Sequence, residues 1–416
     1  MVVNIERLFS TRAKILRASE IRELLKITQV PGMISFAGGL PNPDAFPVEV
    51  IHKCINDIFK DDIKNALQYG TTEGLTQLRG VLADRMKKKK QINCELHDIL
   101  ITSGAQQALF LTGLCFLDPG DTYLTNVPAY LGAVQAFGAL EANCESIPMN
   151  DEGIDIDSLR RNLERLKRTG IYPKFLYTVP TFQNPSGETL SLKHRKELIE
   201  IASEHDFLII EDDPYSDLIF EGKTIPPIKS FDTKGRVIYM STFSKILAPG
   251  FRIGWVISSR EILEKLILAK QATDLCTNVF SQYVAYNYVN GGYLDKQVEK
   301  ISKMYKGKRD LMIKEIKNHF PKGVEWNVPK GGMFIWITLP TSVNTSNMFR
   351  KALNEKIAYV VGDAFYPDGG NYNSMRLNFS YSDNETIKEG IRRLAKVIKD
   401  ELKTTYKKEP FLAEGV

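Results

Sequence analysis

From about residue 95 onward the chain alternates short apolar runs with amphipathic stretches, a pattern that admits few folds. Strands separated by helices form βαβ units, which set the strands side by side in a mostly parallel sheet with helices over it. The runs ILITSG at 99–104, YLTNVP at 123–128, CESIPM at 144–149, FLYTVP at 175–180, FLIIEDD at 207–213, VIYMSTFS at 237–244 and FRIGWVIS at 251–258 read as strands. Helical spacing fills the gaps from Ala105, before Gly138, over 154–167 and over 191–205. This predicts a large α/β domain over residues 49–295, with a mostly parallel seven-stranded sheet between helices. Residues 320–339 and 374–379 suggest antiparallel strands and 383–402 a charged helix, so a smaller α+β domain is expected over 296–416. Residues 1–48 are expected to pack on it. The lysines of 87–90 read as the solvated end of a helix that begins near Thr76, and 403–416 as a loose tail.

Two stretches within the large domain, 99–117 and 122–140, carry no charge, a length that raises the question of a membrane span. Thr102, Ser103, Gly104, Gln106 and Gln107 interrupt the first, and Asn126, Pro128 and Gln135 the second, so both are read as protein interior. The amino terminus has charges throughout and no apolar signal-peptide core. A net charge of +5 on 416 residues is too small to imply a nucleic-acid or membrane-surface partner. Five widely spaced cysteines, none in a C-x-x-C pair, argue against a disulfide framework or structural zinc and point to a reducing cytoplasm. The five histidines show no metal-ligand spacing either.

The segment STFSKILAPGFRIGW at 241–255 carries the strongest chemical signal. Lys245 follows an apolar strand, lies beside Thr242 and Ser244, and precedes Arg252 by seven residues. Taken alone, it is equally a strand-end lysine whose stem is buried and whose ammonium reaches water. Desolvation lowers a lysine's pKa, and a lysine so tuned can form a Schiff base with an aldehyde cofactor. Thr242, Ser244 and Arg252 then supply hydroxyls and a guanidinium fork for a phosphate.

This segment resembles the cofactor-lysine signature of the fold-type I aminotransferases, which use pyridoxal 5′-phosphate, and other motifs follow in the family's order. EDDPYSDL at 211–218 resembles its D-x-x-Y element. The resemblance implies that Asp212 faces the cofactor's ring nitrogen and that the Tyr215 hydroxyl bonds its ring oxygen; Asp213 is expected to be a solvent-facing acid. TFQNPSGETLS at 181–191 makes Asn184 the second donor to that oxygen. In TSGAQQAL at 102–109 the turn at Gly104 and the first helical amides, at Ala105 and Gln106, face a phosphate site. Ala105 stands where many relatives have a hydroxyl residue, which leaves the backbone amide to serve. Tyr130 in NVPAY matches the ring that stacks on the cofactor, and Tyr69 the residue that crosses a homodimer interface to the neighbour's phosphate. Arg376 in SMRLNFS resembles the arginine that holds the substrate α-carboxylate.

The segments RASEIRELLK at 17–26 and ISFAGGLPNPDAFP at 34–47 resemble the branch that includes 2-aminoadipate, kynurenine and archaeal-type aromatic or multisubstrate aminotransferases. That branch implies Ser19 and Arg22 near the substrate side chain and Gly39 near its carboxylate. It also implies ping-pong transfer of an amino group from an L-amino acid to a 2-oxo acid, with 2-oxoglutarate the usual acceptor. A β-lyase or decarboxylase on the same scaffold is the rival within enzymes. An aminotransferase-like sensor domain of a transcription regulator is the rival outside them, disfavoured because only about 18 residues precede the matching region. A nucleotide-binding α/β protein has little support, since no G-x-G-x-x-G turn is present.

Overall fold

A computed structural model describes residues 4–16 and 30–406 of the chain. The short strand β1 (Ile34–Ser35) precedes the large sheet, which is built from β2 (Ile99–Thr102), β3 (Thr122–Val127), β4 (Asn143–Asn150) and β5 (Gly153–Ile154). It continues with β6 (Phe175–Thr178), β7 (Leu208–Asp212), β8 (Val237–Thr242) and β9 (Gly254–Ile257). Their spatial order is β2-β9-β8-β7-β6-β3-β4-β5. The five strands from β4 to β8 across the middle run parallel, and β9 is antiparallel to both of its neighbours. The expected seven strands are present, and the two-residue β5 folds back on β4 as an eighth at the edge.

Both faces of the sheet are covered, so its central strands have no polar face. Every residue of β2, β6 and β8 is buried. The charge-free stretches become β2 and β3 with the helices Ala105–Phe116 and Leu131–Gly138. No helix among the described residues is long and apolar enough to cross a membrane. The amphipathic helix Ile156–Arg168 starts where the Asp155 carboxylate accepts from the amides of Asp157 and Ser158, and it buries Ile156, Leu159, Leu163 and Leu166 at helical spacing.

A second, antiparallel sheet is formed by β10 (Glu325–Trp326), β11 (Phe334–Thr338), β13 (Val360–Val361) and β14 (Ser374–Asn378), in the order β10-β11-β14-β13. β12 (Ile357–Ala358) pairs with β1 instead, in parallel. The Asn378 amide also donates to Phe36 O, which stitches the early segment to the small sheet. The helix Tyr293–His319 leads into this half and Asn384–Tyr406 closes it.

Three expectations are corrected. Lys90 does not end a solvated helix: it is 4% exposed, with Nζ 2.7 Å from Asp217 Oδ1, 3.9 Å from Asp213 Oδ2 and bonded to Ser216 Oγ. Asp213 does not face solvent. It is 4% exposed, and its Oδ2 accepts from Tyr239 OH at 2.9 Å and Ser216 Oγ at 2.6 Å. The two errors share a cause, because a buried acid and a buried lysine each need a counter-charge and these supply one another. The final helix extends through Tyr406, beyond the expected start of the tail at 403; residues 407–416 lie outside the described part.

Candidate active site

In an open α/β sheet the crevice for a ligand lies beyond the carboxyl ends of the parallel strands. β6, β7 and β8 end there at Thr178, Asp212 and Thr242, and a cavity of about 640 Å³ opens above them. Gly39, Ala105, Gln106, Tyr130, Asn184, Asp212, Tyr215, Thr242, Ser244, Lys245, Arg252 and Arg376 all line it. Twelve of the residues singled out from the sequence are thus brought to one place. Gly104 lies immediately beside it, under Arg252.

Lys245 ends the single-turn helix Phe243–Lys245, which the Thr242 hydroxyl starts by accepting from the Ser244 amide. The turn points Nζ into the cavity, where it donates to Gly39 O at 2.8 Å. Gly39 therefore presents its carbonyl to the lysine. Burial pushes the Lys245 ammonium down to about 8, and the positive charges of Arg376 and Arg252 add to the effect. About a tenth of the amine is then neutral at pH 7, far more than for an ordinary lysine, and that is the form that attacks a carbonyl carbon.

Asp212 is 2% exposed, and burial pushes its carboxyl up to about 7 although Tyr177 OH donates to Oδ2 at 2.9 Å. Its other oxygen, Oδ1, is buried without a hydrogen-bond partner among the described residues. A buried carboxylate oxygen in that condition is costly unless a ligand supplies a donor. Tyr215, three residues on, lies 3.5 Å from Asn184 Nδ2.

Arg376 is centred on β14, opposite Trp336 on β11 and Val360 on β13, so it sits on an interior strand. It is 1% exposed and held between the rings of Phe334 and Phe365, at 4.3 and 5.3 Å. Nη1 donates to Asn184 Oδ1 and Nη2 to Ala37 O, each at 2.6 Å, whereas Nε has no partner among the described residues. Burial lowers this guanidinium to about 10, and the neighbouring tyrosines favour its charge. It stays a cation, with a donor to spare for an anionic ligand.

The opposite end of the cavity is shaped for a phosphate. The helix Ala105–Phe116 starts after Gly104, whose φ is +77°, and helix geometry leaves its first amides without carbonyl partners. A side chain at Gly104 would come within 2.6 Å of Arg252 Nη2, so only glycine lets the guanidinium lie over the turn. Arg252, itself at φ +55°, donates to Ser103 O at 3.2 Å. Ser244 Oγ lies 2.9 Å from Thr242 Oγ1, either hydroxyl being able to donate to the other, and Thr242 Oγ1 also reaches Ile253 O at 3.0 Å, so Thr242 orients Ser244. The Gln106 side chain donates to Gly132 O and lies 3.4 Å from Tyr130 OH.

Some expected residues are elsewhere. Tyr69 is 81% exposed and does not line the cavity. Ser19 and Arg22 lie outside the described residues. Others were missed. Asp274 accepts from Gln107 Nε2 at 2.7 Å and Ser103 Oγ at 3.2 Å, bracing the phosphate-facing turn, and buried Lys270 balances its charge. Nothing in its local sequence marks Asp274. Tyr177 was missed because its partner depends on strand register: β6 and β7 align Tyr177 with Ile210, so Tyr177 and Asp212 share a face.

The family described as Aminotransferase class I and II matches residues 33–394. The chain is 49% identical over 398 residues to aromatic-amino-acid aminotransferase 1 of Thermococcus litoralis, covering 96% of this chain and 95% of that one. It is 38% identical to 2-aminoadipate transaminase of Thermus thermophilus, over 94% and 96% of the two chains. A crystal structure of Pyrococcus horikoshii kynurenine aminotransferase in complex with PMP superposes with a TM-score of 0.93 at 50% identity, over 96% and 98%. The cavity fits that cofactor class: the unpartnered Asp212 Oδ1 suits a protonated ring nitrogen, the Gly104 turn a phosphate and Lys245 Nζ an aldehyde. The chain belongs to the class I and II aminotransferases and uses pyridoxal 5′-phosphate to move an amino group from an amino acid to a 2-oxo acid.

Proposed function

We propose that Lys245 carries the cofactor and moves the substrate proton in a ping-pong transamination whose donor is an aromatic L-amino acid, 2-aminoadipate or a broad range including both, and whose acceptor is 2-oxoglutarate. The observation that carries the assignment is the convergence of Lys245, Asp212 and Arg376, distant in sequence, on one cavity. When bound, pyridoxal 5′-phosphate supplies an aldehyde for amine exchange and a ring that accepts an electron pair. Arg376, already rigid between two rings, takes the substrate α-carboxylate and so fixes the α-carbon beside Lys245. Lys245 Nζ, lowered to about 8, accepts the α-proton and passes it on. Asp212 would hold the proton on the ring nitrogen, and Tyr215 with Asn184 would bond the ring oxygen. The amides of Ala105 and Gln106, with Ser244 and Arg252, would hold the phosphate at the Gly104 turn, Thr242 orients Ser244, and Tyr130 would stack on the ring.

The names of the relatives support this donor range, since they read aromatic amino acid, 2-aminoadipate and kynurenine. Arg22 and Ser19 are proposed to meet the donor's side chain, and Gly39 its carboxylate. A homodimer in which Tyr69 reaches the neighbour's phosphate is supported by the exposure of Phe59, Leu67 and Tyr69, which are close in the chain. Division at residues 49–295 and 296–416, with 1–48 on the smaller domain, is supported by the pairing of β1 with β12. Five free thiols support a reducing cytoplasm. A panel of amino donors with 2-oxoglutarate, read as glutamate formed, tests the reading. Pyruvate and ammonia without glutamate would replace it with a lyase.

A further inference from the structure

Tyr177 is 2% exposed and fully enclosed by the sheet and its helices. Its ring packs edge-on against Phe137 at 5.9 Å, and its carbonyl accepts from Thr125 Oγ1 at 3.2 Å. Its hydroxyl does something packing does not require: it donates to Asp212 Oδ2 at 2.9 Å, leaving Oδ1 as the bare oxygen of that carboxylate. Burial keeps the phenol protonated, so toward Asp212 it acts as a donor. Burial is the main cause that raises Asp212; among the described residues the Tyr177 hydrogen bond opposes it, the like-charged Asp213 adds to it, and no cation contributes. A dry carboxylate with no cation is a strong base, and facing a protonated ring nitrogen it would draw the proton onto itself. A hydrogen bond from the far side opposes that by stabilising the anion.

We propose that Tyr177 is a positioning residue of the transamination: its hydrogen bond to Oδ2 keeps Asp212 anionic and turns Oδ1 toward the cofactor's ring nitrogen, so that the proton resides on the ring. The inference rests on the assignment of Asp212 to that nitrogen, and the test separates the two. Full-length apoprotein is titrated with pyridoxal 5′-phosphate and with its analogue in which carbon replaces the ring nitrogen, and binding is followed by fluorescence quenching. Wild type is expected to prefer the natural cofactor. Tyr177→Phe keeps the ring packing and removes only the donor, so it should weaken the natural cofactor by about tenfold and leave the analogue unchanged.

An equal loss for both ligands, or no loss for either, would assign Tyr177 a packing role and overturn the proposal. 3-Fluorotyrosine placed at 177, a stronger donor of nearly the same size, serves if the phenylalanine variant fails to fold; it should sharpen the preference, and an unchanged preference overturns the proposal. Asp212→Asn is the control. If it retains the wild-type preference, the Asp212 assignment itself falls. If it abolishes the preference while Tyr177→Phe leaves it intact, only the Tyr177 proposal falls.

Discussion

At the scale of single residues, the site is defined by ionisable groups that burial has moved from their ordinary ranges. Lys245 is lowered to about 8, by burial first and then by Arg376 and Arg252. The rate at which apoprotein takes up the aldehyde cofactor, followed by stopped-flow absorbance, should therefore rise through about pH 8 as the amine loses its proton. Arg376→Leu removes one positive neighbour and should move that midpoint upward. Burial, the larger cause, remains, so the midpoint should stay below the ordinary lysine range; one unmoved by the substitution would mean that Arg376 exerts no field on Lys245. Asp212 and its neighbour Glu211 move the other way, each pushed up to about 7 by burial. Unfolded carboxyls ionise near pH 4, so between about pH 4 and 7 the folded chain holds protons that the unfolded chain has lost. Apoprotein stability should then fall as pH rises across that window. Asp212→Asn should flatten the fall, and cofactor, by giving Oδ1 a donor, should remove the same component. Melting temperatures of both proteins across the window, with and without cofactor, check this.

At the scale of elements, the segment after β7 is held from three sides. Asp213 bonds back to β8 through its amide to Met240 O and through Tyr239, and the Leu218 carbonyl accepts from the Gly332 amide. Lys90 and Arg85 reach Asp217 from the other side, at 2.7 and 2.9 Å. Burial opposes ionisation of Asp217, but these two cations outweigh it and hold its carboxyl well below the usual range. Removing one partner of a buried pair leaves the other charge uncompensated. Lys90→Met leaves Asp217 with Arg85 alone and takes from Asp213 its cation, so it should cost about 3–5 kcal/mol in urea unfolding, and Asp213→Asn added to it should return part of the loss. This network was not legible in the sequence, and the reason is physical. A run of four lysines states that a helix ends in charge, not which lysine the final turn at Met86–Lys90 directs inward. The antiparallel course of β9 was hidden in the same way, because an apolar run reads alike in either direction. The central strands were legible because helices cover both faces and leave β6, β8 and β9 buried along their whole length.

At the scale of the whole molecule, the site was legible because its chemistry is packed into short motifs. Lys245, Asp212, Asn184 and Arg376 each lie in a motif that can be recognised without knowing the fold, and the fold brings them to one cavity. Residues that act through others, such as Tyr177 and Asp274, become visible only once strands are in register and helices packed. Tyr69 is the case that a single chain cannot complete. The resemblance implies that it meets a cofactor phosphate, yet it is 81% exposed and does not line the cavity of this chain. Both facts are met if the phosphate belongs to a second copy across a two-fold axis, where each subunit lends its Tyr69 to the other's site. Hybrid dimers decide the point. A dimer of one Lys245→Ala subunit and one Tyr69→Phe subunit then holds both lesions in one site and neither in the other, and it should show about half the wild-type activity. If Tyr69 serves its own subunit, the two lesions fall in different sites, and the hybrid should show only about half the activity of the Tyr69→Phe parent. Differently tagged subunits, purified through both tags and assayed against each parent dimer, distinguish the two arrangements.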